Sequence, residues 1–236
     1  MSWHLGRLAG FDLETTGVDV ETDRIVTACV VQCGGDQPTA SATWLADPGI
    51  DIPEQASRVH GITTERARAE GRPAAEVVAD ILAALGQAIT AGVPIVAMNA
   101  RYDLTLLDRE ARRHGYDPLP TGPVIDPLIL DKHISRRRGS RKLVDLCQHY
   151  GVTISDAHSA DADAIAACRV AWRIGATRPE LAALPLDTLH KQQTAWAAEQ
   201  ASSLAAYFRR TAGKEHLADG VRPEWPLIPH QQNGEQ

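Results

Sequence analysis

Apolar and polar positions along the chain alternate in a way that predicts short strands first, then strands interleaved with helices. Residues 7–14 form a short apolar run that ends in acidic residues, followed by a Thr15-Thr16-Gly17 turn signal. Residues 24–33, rich in β-branched side chains, predict a second strand, and Gly34-Gly35-Asp36 a turn. Residues 39–45 alternate as a third strand, completing an antiparallel meander that Asp47-Pro48-Gly49 breaks. Pro73 suits the first position of a helix whose apolar stripe is Val77, Val78, Ile81, Leu82 and Leu85. A buried strand follows at 93–97. The next helix, 101–114, turns Leu104, Leu107 and Ala111 inward, with Gly115 near its end. A further strand at 123–125 ends at Asp126, and helices are expected at 127–133, 141–150, 160–175 and 188–210. The last of these carries Leu189, Trp196, Leu204 and Phe208. Residues 219–236 are rich in Pro, Gln and Gly and are expected to fray, with Trp225-Pro226-Leu227-Ile228 as the part able to pack back. The order predicts an α/β fold: a mixed five-stranded sheet, three strands in a meander and the rest parallel, with helices on its faces. Residues 1–180 read as one domain and 181–236 as a helical extension and tail.

The end of the first strand changes the picture from architecture to chemistry. Side chains two apart on a strand share a face, so Asp12 and Glu14 point the same way. Two carboxylates side by side repel unless something positive lies between them, and a divalent cation is the simplest candidate. The spacing alone decides nothing. With 18 Asp and 12 Glu in 236 residues, chance supplies roughly one Asp-x-Glu triplet, and the chain has three. Asp12/Glu14 stands apart because it ends a buried strand. Asp19/Glu21, in a polar loop, and Asp108/Glu110, in a helix, read as solvated surface.

Composition narrows the setting. The hydrophobic fraction of 44% and charged fraction of 23% are those of an ordinary globular protein. No apolar run is long enough to cross a membrane, and residues 1–7 lack the apolar core of a signal peptide, so a cytoplasmic location is expected. Cys29, Cys33, Cys147 and Cys168 show no paired Cys-x-x-Cys spacing and read as reduced, partly buried thiols. The net charge of −6 argues against coating long nucleic acids by charge alone. Positive charge concentrates at 132–142, where six of eleven residues are Lys or Arg; this is either a solvated loop or an arm that contacts phosphates.

Two further acidic segments stand where the same site could recruit them. Asn99-Ala100-Arg101-Tyr102-Asp103 follows directly on the buried strand 93–97, at the kind of sheet edge where α/β proteins place ligands. Asp103 there either completes a site or merely complements its helix dipole. His158-Ser159-Ala160-Asp161-Ala162-Asp163 precedes and opens a helix, so His158 and Asp163 can approach one point from different directions.

Taken in order, these three segments resemble the three exonuclease motifs of the DnaQ-like 3′-to-5′ exonucleases, which have an RNase H-like fold and include polymerase proofreading subunits. The match is to the subgroup with His-x-Ala-x-x-Asp in its third motif. A sister subgroup carries tyrosine four residues before the last Asp, where this chain has Ser159. Residues 56–63 also resemble a segment that these enzymes carry between the first two motifs, and the likeness spans about residues 7–176.

The resemblance implies two Mg²⁺ or Mn²⁺ ions held by Asp12, Glu14, Asp103 and Asp163, an all-oxygen set that suits such hard cations. It implies His158 as the general base. It also places Leu13, Thr15 and Gly17 beside the terminal nucleotide, with His60, Asn99 and Tyr102 as further substrate contacts; His60 reads equally as a satisfied loop histidine. The expected activity is removal of nucleoside 5′-monophosphates from single-stranded 3′ ends, with DNA favoured. Two alternatives stand: an exoribonuclease trimming RNA or short oligonucleotides, and a catalytically silent nucleic-acid-binding or polymerase-associated scaffold. Single-stranded DNA or RNA 3′ ends are the expected partners and no membrane is; association with a DNA polymerase or repair protein stays open. The oligomeric state is not legible.

Overall fold

The computed structural model describes residues 2–135, 137–154 and 159–230. Strand β1 (Arg7–Thr15) pairs antiparallel with β2 (Ile25–Gly34), which pairs antiparallel with β3 (Ala40–Asp47). Two short helices, α1 (Glu54–His60) and α2 (Thr64–Glu70), lead to β4 (Arg72–Pro73) and the long α3 (Ala74–Thr90). Then β5 (Ile95–Val96), α4 (Ala100–Arg113), β6 (Val124–Ile125) and α5 (Pro127–Ile134) alternate. Helices α6 (Leu143–Tyr150), α7 (Ala160–Thr177), α8 (Pro179–Ala182) and α9 (Leu186–Arg210) follow.

The sheet has six strands in the order β4-β3-β2-β1-β5-β6. It is the expected mixed α/β sheet with one more strand. The addition is β4, a two-residue parallel partner of β3 in which Asp47 faces Pro73. Pro73 therefore stands just ahead of α3 rather than inside its first turn. Sequence patterning had no signal for α1 and α2, whose seven-residue lengths hold too few apolar positions to show a period.

Because β1, β5 and β6 run parallel, their carboxyl ends lie along one edge of the sheet. Helices cover both faces. Phe11 and Leu13 of β1 pack on the side of α3 and α4, with Ile81, Leu85 and Leu107. Leu8 and the β2 residues Cys29 and Val31 face α7, with Cys168 and Ala164. Gly10 makes that second contact close: a Cβ there would stand 2.7 Å from the Ala164 carbonyl oxygen of α7 and 2.8 Å from Cys168 Sγ. Only a residue without a side chain lets α7 lie this near β1.

The outer edge of β6 is closed by side chains of α9. Gln193, fully buried, accepts from the Asp126 N–H at 2.8 Å and donates to the Val124 carbonyl at 2.8 Å, and His190 Nδ1 accepts from the Val124 N–H. These groups satisfy backbone donors and acceptors that another strand would otherwise take. The segment after α9 packs back through the part expected to do so. Trp225 is buried, and the Ile228 N–H donates to Thr105 Oγ1 of α4 at 3.0 Å.

The reading of Asp108 and Glu110 as surface groups is overturned. Both are buried in α4. Arg109 Nη1 donates to Asp108 at 2.6 Å, and Arg112 Nε at 2.9 Å; Arg113 and Arg24 pair with Glu110. Burial of these charges is tolerated because each carboxylate meets a guanidinium. Arg109 also reaches Glu21, so the two remaining Asp-x-Glu triplets meet in one ionic network. The four cysteines are free thiols, as expected. No helix among the described residues is long and apolar enough to cross a membrane.

Candidate active site

The strand register delivers the first two acids. Asp12 lies opposite Cys29 and Glu14 opposite Thr27, and a register shift after Glu14 turns the chain away at Thr15. Asp12 and Glu14 therefore emerge on the α7 side of the sheet, at its carboxyl edge. Asp163 comes from the first turn of α7, the helix that Gly10 allows to lie close. One carboxylate oxygen from each of Asp12, Glu14 and Asp163 lies within 4.8 Å of the others. All three side chains are half-buried.

Asp103 approaches from α4. It is buried at 4% exposure, and its Oδ1 accepts the Leu13 N–H at 3.1 Å, which ties the second acidic segment to the strand carrying the first. Helix α4 begins at this spot because Asn99 adopts a left-handed conformation, φ 60°, that asparagine tolerates better than most residues. The Asn99 and Ala100 N–H groups both donate to Asp126, at 3.0 Å each.

Asp12, Glu14 and Asp103 hold protons more tightly than usual. Burial pushes Asp12 well above the ordinary carboxylate range, and the negative charges of Asp103, Asp163 and Glu14 add to it. Burial and Asp163 push Glu14 up to about 7. Asp103 is raised by burial and by Asp126 and Glu14, against the pull of its backbone donors. No lysine or arginine among the described residues forms an ion pair with Asp12, Glu14 or Asp103. Clustered oxygen donors, with proton affinity raised at Asp12, Glu14 and Asp103, fit a divalent cation.

The other expected site residues lie around this cluster. The Leu13 side chain lies in the core beneath the sheet. Thr15 Oγ1 and the Tyr102 hydroxyl lie 2.6 Å apart, and both donate to the Gly17 carbonyl, which fastens the turn after β1 onto α4. The Tyr102 ring packs against the core. A Cβ on Gly17 would come within 2.5 Å of the Asp23 carboxylate, so glycine is needed for that turn to close. His60 accepts the Ile62 N–H at 3.2 Å; burial lowers its pKa, and the Thr15 backbone opposes the shift. Beside Glu14, a cavity of about 480 Å³ runs over β2 and β3, with His60, Trp44, Arg66 and Asp161 on its walls. His158 lies outside the described residues.

Asp126 is the site residue that the sequence reading passed over. It is 1% exposed and accepts from Asn99, Ala100, Leu128 and Trp225, which fixes the turn leading to Asp103. The available signal was its place at the end of a short apolar strand immediately before Pro127, the same setting that singled out Asp12. The basic stretch at 132–142 is partly spent on the fold itself: Arg137 and Arg141 both pair with the buried Asp131.

A family model described as exonuclease matches residues 9–171. Among curated proteins, a DNA polymerase III PolC-type of Lacticaseibacillus paracasei is 30% identical over 154 residues, 65% of this chain and 10% of that protein. That of Oceanobacillus iheyensis is 26% identical over 164 residues, 70% of this chain and 11% of that protein. The chain thus spans about a tenth of the length of these relatives. Among solved structures, the zinc-bound complex of Escherichia coli ExoI with single-stranded DNA aligns with a TM-score of 0.64 at 22% identity, covering 74% of this chain and 42% of that one. Exonuclease I of Methylocaldum szegediense aligns with a TM-score of 0.61 at 22% identity, covering 74% of this chain and 41% of that one. At these identities the structural likeness is one of fold.

Proposed function

The chain belongs to the DnaQ-like family of 3′-to-5′ exonucleases, and from that premise we propose that it hydrolyses the terminal phosphodiester of single-stranded DNA from the 3′ end. The observation that carries the reading is the group of Asp12, Glu14 and Asp163 oxygens within 4.8 Å on one face of the sheet edge. These three acids, with Asp103 beside them, are the proposed ligands of two Mg²⁺ or Mn²⁺ ions. Such ions, when bound, give a nucleophilic water at neutral pH and offset charge on the attacking and leaving oxygens.

The protein's own part is to hold and to orient. The Leu13 N–H bond to Asp103 and the Tyr102–Thr15–Gly17 bonds keep the acids and the adjoining turn at fixed positions, so little reorganisation accompanies reaction. The cavity beside Glu14, walled by His60 and Trp44, is the proposed seat of the last nucleotide. His158 is proposed to take the water proton on an imidazole nitrogen, a task that suits an unperturbed pKa of about 6.5. The water oxygen then bonds to phosphorus as the bond to the 3′ oxygen breaks; that oxygen takes a proton from solvent to become the new 3′-hydroxyl, and a nucleoside 5′-monophosphate is released. The curated relatives are DNA polymerases by name, which supports DNA over RNA and supports a polymerase as partner.

The test is digestion of end-labelled single-stranded DNA, duplex DNA and RNA of one sequence with Mg²⁺ or Mn²⁺. Single-stranded DNA is expected to shorten from its 3′ end one nucleotide at a time. Asp12→Ala and Asp163→Asn are expected to lower the rate by about a hundredfold or more, the scale on which loss of a group acting in the transition state is felt. The reading is falsified if both variants stay folded and cleave as fast as wild type. Faster digestion of RNA would make the enzyme an exoribonuclease.

A further inference from the structure

A second cavity, of about 760 Å³, opens at the same sheet edge. Asn99, past the end of β5, and Asp126, at the end of β6, belong to its wall. These ends lie one and two strands from β1, an offset of about 5–10 Å from the strand that carries Asp12. Helix α4 connects the two places, because its first turn sends Asp103 toward the carboxylate site and Arg101 to the cavity.

The cavity gathers cations from four separate stretches: Arg101 from α4, Lys132 from α5, Arg141 from the loop after it and Arg222 from the C-terminal segment. Their existing partners leave charge over. Arg141 pairs with Asp131 at 2.7 Å and Arg222 with Glu224 at 2.9 Å. Arg101 donates to the Arg222 carbonyl, a neutral group. Lys132 has no carboxylate within ion-pair distance among the described residues. The residue is exposed, but the cavity wall partly desolvates its ammonium and lowers its pKa; Asp126 opposes this, and Arg141 and Arg101 push the same way as the desolvation. Asp126 is already occupied by four donors, and Glu199 is the remaining acid on the wall. Trp196 supplies an aromatic surface, with His133 stacked on it at 3.7 Å and 14°.

An anionic chain with flat bases fits this wall better than a compact anion does, since cations spread over several elements track a backbone and an aromatic side chain offers a base a platform. We propose that this cavity holds the single-stranded substrate upstream of the scissile bond, with Lys132 and Arg101 on its phosphates; the proposal rests on the exonuclease reading above. The strand then runs along the sheet edge, from the carboxylates past the start of α4 to the face of α5 and α9.

Lys132→Glu, at an exposed position, tests it in the full chain. Binding of a fluorescent twelve-nucleotide single strand is followed by anisotropy in Ca²⁺, and hydrolysis of twelve- and three-nucleotide strands in Mn²⁺. The expected result is a roughly fivefold or greater loss of affinity for the long strand, with a log–log salt slope shallower by about 0.7, the share of one phosphate on a single strand. KM for the long strand should rise while kcat on the short strand is unchanged. Equal affinity and salt slope in variant and wild type would overturn the subsite while leaving the exonuclease reading intact. So would an equal rise in KM for both lengths. Failure of the wild type to cleave any single strand would instead strike the function itself. If Lys132→Glu relieved inhibition by a free nucleoside monophosphate but left long-strand binding unchanged, the cavity would be a product site and the proposal wrong.

Discussion

Glu14 sits where β1 ends, and burial, with the charge of Asp163 beside it, raises its pKa from the usual 4.5 to about 7. Between those values, metal-free folded protein binds a proton at this residue that the unfolded chain has released. Stability then falls as pH rises through the window, since the native state is the one losing an extra proton. In EDTA, the urea midpoint of wild type is expected to decline relative to Glu14→Gln from about pH 4.5 to 7. A difference that stays constant across that range would show that Glu14 is not held this way. A divalent cation competes with the same proton, so Mn²⁺ should raise the midpoint more at pH 8 than at pH 5. At this scale the site was largely legible: a strand ending in two acids and an acid in the first turn of each of two helices are local patterns. Asp126 was not, because its role comes from donors supplied by Asn99, Leu128 and Trp225, the last 99 residues away.

Among elements, the approach of α7 to β1 decides whether Asp163 reaches Asp12 and Glu14. Gly10 permits it. Gly10→Ala puts a methyl group 2.6 Å from Val31 Cγ1 and 2.7 Å from the Ala164 carbonyl, so strand and helix must separate. Overpacking of this kind costs about 1–3 kcal/mol, and Mn²⁺ affinity should fall with it, because the helix carries Asp163, a proposed ligand. Isothermal titration and urea melts on one sample measure both; an affinity that survives the destabilisation would mean that Asp163 is positioned independently of Gly10. The long elements were readable from periodicity, as α3 and α9 show. The charges of α4 were not. Asp108 and Glu110 have the spacing of a solvated face, and their burial depends on Arg24 from β2's approach and on a C-terminal segment more than a hundred residues later that covers the helix. Patterning within one element carries no trace of what will be laid over it.

For the molecule as a whole, that C-terminal segment is part of the fold's stability. Trp225 lies in the same apolar cluster as Phe11 and Leu107, and its Nε1 donates to Asp126 at 3.1 Å. Trp225→Ala removes a large buried ring and one of the donors to a buried carboxylate, a loss of about 3–5 kcal/mol. Urea denaturation followed by circular dichroism should show it as a lower midpoint in one transition. A separate early transition, with the midpoint of the rest unchanged, would mark residues 181–236 as an independent unit.

The amide of Gln193 and the indole of Trp225 both lie beyond the segment that resembles other exonucleases, residues 9–171, yet both hold Asp126, which in turn fixes the turn from which Asp103 springs. A graft of residues 9–171 into another protein would carry every described acid of the cluster and leave behind two of the hands that steady it. Its new host would have to offer an amide and a ring of its own, at the right height along the outer strand, before the transplanted edge could work.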